Sequence, residues 1–321
     1  MYSFIQYLIP GGLFDRDLSS PTGVASSQRG KTQTSNSNNS SQSSGGAFDL
    51  TFATYNVRTY TLRNDKWGDY NKIFDSKDGK RMQGIAKIIK STEVDIVAFQ
   101  EVRNVSRGSL LTHLGKNWRM ASVVGRGDTN VAWNNEVYRV LNTGTIPVHI
   151  SPNVSRPDIW VKLQHRGTGR YVYVASFHLA TKGSAGSESV KMQYHKKDAQ
   201  LVLKMIRRAN DTFIVAGDMN ANDNPRSNEP YRSFKDSGLL YYTREASKTV
   251  VGNNCDTHND NAGSGGRQEC RVGRGSHIDH IWVTKNPKVK LNSYRVIATR
   301  ETSQVSDHNP IIVKLRVLEA K

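Results

Sequence analysis

Six short apolar segments, each followed or bounded by polar residues, constrain the fold of this chain more than any other feature of its sequence. They are rich in β-branched and aromatic side chains, a composition that favours strands. The segments are TFATY (51–55), DIVAF (95–99), YVYVASF (171–177), TFIVAG (212–217), HIDHIWVT (277–284) and PIIVKLRV (310–317). We therefore predict a strand at each of these six places.

Two stretches between the predicted strands have the apolar spacing of one helix face. The first face consists of Met82, Ile85, Ile88 and Ile89, and the second consists of Tyr194, Leu201, Val202 and Met205. With 321 residues, 36% of them hydrophobic, the chain can bury a sizeable core. Strands that alternate with helices predict an α/β layered domain whose strand ends can carry a site.

Polar side chains stand at or beside the ends of these predicted strands. The set is Asn56, Glu101, His178, Asp218 with Asn220, Asp279, and Asp307 with His308. Any single member is readily explained as a cap, a turn residue or a hydrogen-bonded structural histidine. Folding does not require these residue types at all six strands, so we interpret the set as a functional site.

The residue types in this set fit the hydrolysis of a phosphate ester. Glu101, helped by Asn56 and Asp307, offers the hard oxygen ligands that Mg²⁺ or Mn²⁺ prefers, with Ca²⁺ as a further candidate. The sequence contains no Cys/His cluster with the spacing of a zinc site. His178 and His308, oriented by neighbouring carboxylates, can serve as general acid, general base or stabiliser of the charge on a pentacovalent phosphorus.

Seven motifs in order resemble those of the endonuclease/exonuclease/phosphatase superfamily, which has the deoxyribonuclease I-like fold. They are ATYNVR, DIVAFQEV, RPDIWVKL, ASFHLA, VAGDMNAND, HIDHIWV and SDHNPIIV, and they cover roughly residues 48–317. The resemblance implies a four-layer α/β/β/α sandwich of two mixed sheets. It also implies a metal-dependent phosphodiesterase or phosphomonoesterase site at one edge.

The same resemblance implies individual roles. Glu101 would bind the metal beside Asn56 and Asp307, and Asp218 with Asn220 would orient the attacking water and the scissile phosphate. Asp279 would orient His308, and His178 would be the second histidine. Arg156 matches an arginine that precedes a central strand and contacts phosphate. For the carboxylate partner of His178, Asp128 is an uncertain match, so that pairing stays open.

Residues 19–46 consist largely of Ser, Asn, Gln, Gly and Thr, with almost nothing apolar to bury. This composition predicts a disordered tail over residues 1–46, followed by one catalytic domain over residues 47–321. The only two cysteines, Cys255 and Cys270, are close together in a Gly/Asn-rich stretch and can form a disulfide. A polar tether and a disulfide together favour an extracellular or surface-associated protein.

A formal net charge of +17 favours a polyanionic partner. Arginines crowd the loop just before the HIDH segment, where they can reach a phosphate backbone without reading base sequence: Arg267, Arg271 and Arg274. Further cations lie on or near the second predicted helix and are also explained as a solvated face: Lys191, Lys196, Lys197, Lys204, Arg207 and Arg208.

Charge and motifs together favour a sequence-non-specific nuclease that acts on DNA in preference to RNA. We expect a monomer with no obligate protein partner. The alternative enzyme is a phosphatase or a phospholipase C-type hydrolase of phosphoinositide, sphingomyelin or small phosphorylated substrates. Long apolar insertions that could enter a bilayer are not evident, which disfavours a sphingomyelinase. A non-catalytic polyanion-binding module is a third alternative, although every principal catalytic residue is present.

Overall fold

The computed structural model of the protein describes residues 46–58, 79–123, 127–209, 211–259, 270, 277–285 and 289–318, without the side chains of residues 104 and 105. The predicted tail, apart from Gly46, lies outside these residues, and so do Arg267, Arg271 and Arg274. Within the described part, no helix is long and apolar enough to cross a membrane.

Thirteen strands and seven helices are found among the described residues. The strands are β1 (Phe48–Asn56), β2 (Ile96–Gln100), β3 (Trp118–Ser122), β4 (Asn130–Asn134), β5 (Tyr138–Ser151), β6 (Val154–His165), β7 (Tyr171–His178), β8 (Phe213–Asp218), β9 (Leu240–Tyr242), β10 (Thr249–Val251), β11 (Asp279–Thr284), β12 (Val289–Val296) and β13 (Ile311–Val317). The helices are α1 (Gly79–Ser91), α2 (Asn104–Leu114), α3 (Lys182–Ala185), α4 (Glu188–Ala209), α5 (Tyr231–Asp236), α6 (Thr243–Ala246) and α7 (Arg300–Val305).

The strands form two mixed sheets. The first has the order β10-β12-β13-β1-β2-β4-β3, with β1 antiparallel to β13 and parallel to β2. The second has the order β5-β6-β7-β8-β11-β9, with β7 and β8 parallel and β11 antiparallel to β8. All six predicted strands are confirmed, and they occupy central positions in the two sheets.

Three apolar clusters define the layers. Between the sheets, Phe52 and Val313 of the first sheet are buried in one cluster with Val174 and Ile281 of the second. A second cluster covers the outer face of the second sheet with α4 and α5, and a third covers the outer face of the first sheet with α1 and α2. Each fully buried large apolar side chain contributes about 1.5–3 kcal/mol. The predicted four-layer α/β/β/α sandwich is confirmed.

The buried face of α1 is the predicted one, since Met82, Ile85, Ile88 and Ile89 are all buried. The predicted face of α4 is wrong in part. Val202 is buried, but Tyr194, Leu201 and Met205 are only half-buried. The face that packs on the second sheet is rotated and includes polar residues: Lys191, His195, Asp198, Ala199, Val202, Leu203 and Ile206. Apolar spacing misses it because three of these buried residues are polar or charged.

Candidate active site

The strand ends bring the predicted site residues to one edge of the two sheets. Asn56 is the last residue of β1, and Glu101 directly follows β2, its parallel neighbour. His178 and Asp218 end the parallel strands β7 and β8 and pair directly with each other. Asp279 begins the antiparallel strand β11 opposite Asp218. Parallel and antiparallel pairing therefore deliver these side chains from both sheets to the same place.

The backbone at this edge has conformations that L-residues rarely adopt. Gly217 has φ 144°, and a Cβ added to it would lie 1.9 Å from the main-chain oxygen of Phe177. Glu101 and Asn220 have φ of 64° and 46°. Strained backbone of this kind persists where the surrounding structure enforces it, often at functional sites. The glycine before Asp218 is thus required for β7 and β8 to approach each other here.

Asn56 connects the two acidic residues of the site. Its Nδ2 donates to Glu101 Oε1 at 3.2 Å and to Asp218 Oδ2 at 3.0 Å, and the side chain is fully buried. Its Oδ1 accepts from the main-chain N–H of Arg58 at 2.9 Å. These contacts hold the amide in one orientation, so Asn56 fixes the spacing of the Glu101 and Asp218 carboxylates.

His308 lies between two carboxylates. Its Nδ1 is 2.8 Å from Asp279 Oδ2, and its Nε2 is 3.7 Å from Asp218 Oδ2. Burial by itself lowers the pKa of His308, but the charge and hydrogen bond of Asp279, aided by Asp218, outweigh burial and raise it to about 10. The Asp279–His308 pair therefore keeps the imidazole protonated at neutral pH.

His178 lies on the other side of Asp218, and its partner is Asp128. His178 Nδ1 is 3.3 Å from Asp128 Oδ2, while its Nε2 is 3.8 Å from Asp218 Oδ2 and 3.9 Å from Glu101 Oε1. Burial lowers the pKa of His178, yet the interaction with Asp128 overcomes this and raises it to about 9. The question that the sequence left open is answered by this contact.

Asp218 is held as a carboxylate between the two histidines. Burial alone would raise its pKa, but His308 and His178 together lower it, with help from the main-chain N–H of Asn220 at 2.8 Å. The Asn220 side chain donates to the main-chain oxygen of Leu179 at 2.9 Å. Since an amide NH₂ has two donor hydrogens, this contact fixes its direction and leaves one donor for a ligand.

Arg156, at the start of β6, is built into the support of this site. It lies 3.0 Å from Asp128 and 3.4 Å from Asp158, and it donates to the main-chain oxygen of His178. Burial raises the pKa of Asp158 to about 7 despite the opposing charge of Arg156. Arg156 therefore braces the Asp128–His178 pair, and its expected contact with phosphate stays a prediction.

Comparison with known proteins identifies the family of this chain. Residues 53–308 match the profile of the Endonuclease/Exonuclease/phosphatase family. The chain belongs to this family. A search of curated proteins gave no match. Members of the family are hydrolytic phosphoesterases that generally use divalent metal ions, so the protein is a phosphoesterase-type hydrolase.

Solved structures of the same fold include bacterial and D. rerio proteins. An endonuclease/exonuclease/phosphatase from Bacteroides vulgatus is 21% identical, with a TM-score of 0.66 over 84% of this chain and 99% of that one. A mannosyl-6-phosphatase from Bacteroides thetaiotaomicron is 19% identical, with a TM-score of 0.59 over 83% and 99%. The D. rerio protein TDP2, complexed with single-strand DNA product, is 17% identical, with a TM-score of 0.57 over 83% and 98%. At these identities the likeness establishes the fold.

The donor set fits the divalent cation that this family uses. Glu101 and Asp307 supply carboxylate oxygens, which hard cations prefer, and Asn56 adds an amide oxygen that also accepts from the main-chain N–H of Arg58. Asp307 Oδ2 is 3.5 Å from Arg58, whereas its Oδ1 is buried and has no hydrogen-bond partner among the described residues. A buried carboxylate oxygen in this state is a ready metal ligand.

The sequence did not indicate that two further residues, Lys191 and His258, lie at the site. Lys191, grouped above with a solvated helix face, is buried; its Nζ donates to the main-chain oxygen of Asn220 at 3.0 Å and lies 2.7 Å from Glu188. His258 packs against His308, with 4.8 Å between the ring centroids. The signal for His258 was weak, because it lies in a polar stretch without strand or helix periodicity.

Proposed function

We propose that the chain is a Mg²⁺-dependent phosphodiester hydrolase, with Mn²⁺ as the second candidate ion, that acts as a sequence-non-specific nuclease on DNA in preference to RNA. The observation that carries this proposal is the position of Asp218. Its carboxylate lies 3.8 Å and 3.7 Å from the Nε2 atoms of His178 and His308, and Asn56 links it to Glu101. This arrangement combines a base, two cationic donors and a metal-binding carboxylate around one small space.

Asp218 is the residue that orients and deprotonates the attacking water. Its pKa is lowered by the two histidines, so it is ionised at neutral pH and can accept a hydrogen bond or a proton from water. Asn56 and the main-chain N–H of Asn220 occupy defined positions on its two oxygens. These contacts fix the direction in which Asp218 accepts. Asn220 then holds a phosphate oxygen with its remaining amide hydrogen.

His178 and His308 stabilise the negative charge that develops on phosphorus in the transition state. Both are held protonated by buried carboxylates, His308 by Asp279 and His178 by Asp128. Preorganised cationic donors in a buried site stabilise a transition state strongly because they need no reorganisation during the reaction. One of them can also donate its proton to the leaving oxygen.

Glu101, Asn56 and Asp307 are the residues that would hold the divalent ion. When bound, such an ion polarises the phosphoryl oxygens and neutralises part of their charge. Glu101 is 24% exposed and borders the space occupied by His178, which lets it reach an ion beside the substrate. We expect Glu101→Ala to raise the metal concentration needed for activity.

A nucleic-acid backbone is the substrate that the charge of the chain favours. The solvent face of α4 exposes Lys196, Lys197, Lys204, Arg207 and Arg208, and the net charge is +17. Arg267, Arg271 and Arg274 precede β11 in the sequence and would add phosphate contacts, as would Arg156. The structural neighbour TDP2 is complexed with single-strand DNA product, which agrees with such a substrate for this fold.

A phosphatase acting on a small phosphorylated substrate is the competing function. The mannosyl-6-phosphatase among the structural neighbours shows that this fold supports a phosphomonoester substrate as well. Phosphoinositides and sphingomyelin belong to the same group of alternatives. The disulfide between Cys255 and Cys270 is consistent with an oxidising compartment, which supports a place outside the cell or at its surface. A monomer with no obligate protein partner is part of the same proposal.

A substrate panel run at several salt concentrations tests the nuclease proposal. Plasmid, linear duplex, single-stranded DNA and RNA are compared with a phosphoinositide and a chromogenic phosphodiester. We expect DNA affinity to fall with a log-log salt slope of about −0.9 per phosphate contacted. Replacing Arg267, Arg271 and Arg274 together by Gln should flatten this slope and raise KM for DNA, with little effect on the small diester.

Replacing Lys196, Lys204 and Arg207 of α4 by Gln removes the same number of charges from another surface. A flattening confined to the arginine variant assigns the DNA path to the loop before β11, and one confined to the α4 variant assigns it to the helix. Weak DNA cleavage at every salt concentration, with rapid release of phosphate from a compact monoester, would overturn the nuclease proposal in favour of the phosphatase.

A further inference from the structure

His258 is held in a fixed position beside the SDHN segment (residues 306–309). The main-chain N–H of Asn259 donates to the oxygen of Asp307 at 2.7 Å, and that of Asn309 donates to the oxygen of Thr257 at 2.7 Å. Thr257 Oγ1 in turn accepts from the main-chain N–H of Asp279 at 3.1 Å. His258 is thereby paired directly with His308 in a two-stranded bridge. These bonds hold the backbone of His258 next to that of His308.

The side chains of His258, Asp307 and His308 converge. One potential ligand atom from each residue lies within 4.8 Å of the other two, and the rings of His258 and His308 meet edge to face. His258 and Asp307 are half-buried, while His308 is buried. The cluster is therefore accessible from solvent on one side, as a site that exchanges an ion must be.

Asp307 and His308 are each arranged as a metal ligand would be. Nδ1 of His308 is engaged by Asp279 at 2.8 Å, which leaves Nε2 as its second donor atom. A carboxylate on one imidazole nitrogen is the usual support of a histidine that binds zinc through the other. Asp307 Oδ1 is buried and has no hydrogen-bond partner within the described ranges.

We propose that His258, Asp307 and His308 form a Zn²⁺ site. Two imidazoles and one carboxylate are a typical zinc donor set, and three protein ligands leave a fourth position for water. Zinc bonds of about 2.0–2.2 Å require these donor atoms, which lie within 4.8 Å of one another, to close on the ion. Mg²⁺ prefers oxygen donors and zinc accepts imidazole nitrogen, so His258 and His308 favour zinc where Glu101 and Asn56 favour Mg²⁺, and the two ions would share Asp307.

Zinc at this cluster inhibits hydrolysis, a consequence that rests on the proposed function. His308 Nε2 lies 3.7 Å from Asp218, where it would face the scissile phosphate. A zinc ion bound to that nitrogen would take the place of its proton, which is released to solvent, so His308 could no longer donate a hydrogen bond to the phosphate or a proton to the leaving oxygen. Zn²⁺ would therefore suppress activity even in excess Mg²⁺.

Calorimetric titration of Zn²⁺ into the folded, full-length protein in excess Mg²⁺ and without substrate tests the site. We expect one tight zinc ion in the wild type and a loss of at least about 10- to 100-fold in affinity in His258→Asn, since removing even a support of a zinc ligand costs this much. His258→Gln is a second variant, and unfolding curves confirm that both are folded. His113→Gln, which removes a half-exposed histidine of α2, is the control and should bind zinc as the wild type does.

Zinc affinity that is equal in the wild type and both folded His258 variants would overturn the site, as would no zinc binding by the wild type. Inhibition is measured separately, as the zinc concentration that halves plasmid cleavage, and should rise in the His258 variants. His258-dependent zinc binding by a protein that cleaves no phosphodiester would uphold the site and reject the proposed function. Phosphodiester cleavage without His258-dependent zinc binding would uphold the proposed function and reject the zinc site.

Discussion

At the scale of single residues, the two site histidines owe their charge to carboxylates in different places. Asp279 and His308 both lie in recognisable motifs, at the start of β11 and just before β13. Asp128 lies just before β4, 50 residues from His178 in the sequence. Each carboxylate overcomes the effect of burial and raises the pKa of its histidine, to about 10 for His308 and about 9 for His178.

Asp128→Asn should lower the pKa of His178. Burial lowers this pKa, and in the variant the charge of Asp128 would no longer oppose that effect. Loss of a neighbouring opposite charge shifts a pKa by about 1–3 units. NMR titration of the histidine rings in chelator measures this directly. Asp198→Asn is the matched control, because Asp198 pairs with a different histidine, His149, at 2.5 Å. A His178 pKa that stays near 9 in Asp128→Asn would contradict the assigned pairing.

The same variant changes how stability depends on pH. The folded pKa of His178, about 9, lies above the unfolded value of 6.5. The protonated histidine therefore stabilises the fold fully below pH 6.5, and this contribution is lost as pH rises through about 9. Urea unfolding in chelator between these pH values should show a decline in the wild type that is flatter in Asp128→Asn. A parallel decline in the two proteins would count against the linkage.

The residue types at the strand ends could be predicted from sequence because each lies next to an apolar run that must be a strand. Asp218 and His308 are examples, and both lie where expected. The pairing of His178 with Asp128 could not be predicted from sequence. It depends on how the two sheets pack, because β4, which follows Asp128, and β7, which ends at His178, belong to different sheets. The position of His258 could not be predicted either, because its bridge to His308 joins segments 50 residues apart in the sequence.

At the scale of elements, buried polar groups limited what periodicity could predict. His195 on α4 is fully buried, with its ring nitrogens 3.0 Å from the oxygen of Glu229 and 2.9 Å from that of Ala180. Asp198 is buried against His149. Such residues are satisfied by partners distant in sequence, so a helix face that contains them reads as polar. The α4 face was mispredicted for this reason.

The two strands of the β5–β6 hairpin were not among the six predicted strands. β5 is an edge strand with half-exposed and exposed residues along most of its length. It contains polar residues and Pro147, which pairs with Pro157 of β6. Proline is tolerated at a sheet edge, where its missing N–H costs no ladder bond. An edge strand of this composition lacks the apolar run that identifies the central strands.

Gly217→Ala should disrupt the pairing of β7 and β8 at the site. The added Cβ would lie 1.9 Å from the main-chain oxygen of Phe177, at a φ of 144°. We expect a loss of about 2–6 kcal/mol, from about 1–3 kcal/mol of backbone strain and about 1–3 kcal/mol of overpacking. Urea unfolding measures the loss, and hydrolysis should fall with it because His178 and Asp218 flank this contact.

Gly108→Ala in α2 is the matched control for that variant. A Cβ there meets nothing within 4 Å. Alanine in a helix interior is more stable than glycine by about 0.5–1 kcal/mol, so this variant should be slightly stabilised. Equal stability of Gly217→Ala and the wild type would show that β7 and β8 separate easily, and the close approach would then not define the site.

At the scale of the whole molecule, the two-sheet architecture is what makes the site possible. Asn56 and Glu101 come from the first sheet, whereas His178, Asp218 and Asp279 come from the second. Local pattern predicts the strands but carries no information on sheet order. The sandwich of two mixed sheets could be anticipated only through the resemblance of seven motifs to a known family, and the order of the strands within each sheet was not predicted. The charge that favours a polyanion is likewise a property of the whole chain.

Cleavage of supercoiled plasmid by the wild type and Asp218→Asn, each in Mg²⁺ and in chelator, tests the central claim most directly. We predict Mg²⁺-dependent nicking by the wild type and a loss of about 100- to 10,000-fold in Asp218→Asn, with the fold and DNA affinity largely retained. Asp236→Asn, at an exposed aspartate of α5, should cleave as the wild type does. Nicking by Asp218→Asn at near wild-type rates, or a folded wild type that does not nick plasmid in Mg²⁺, would contradict the account.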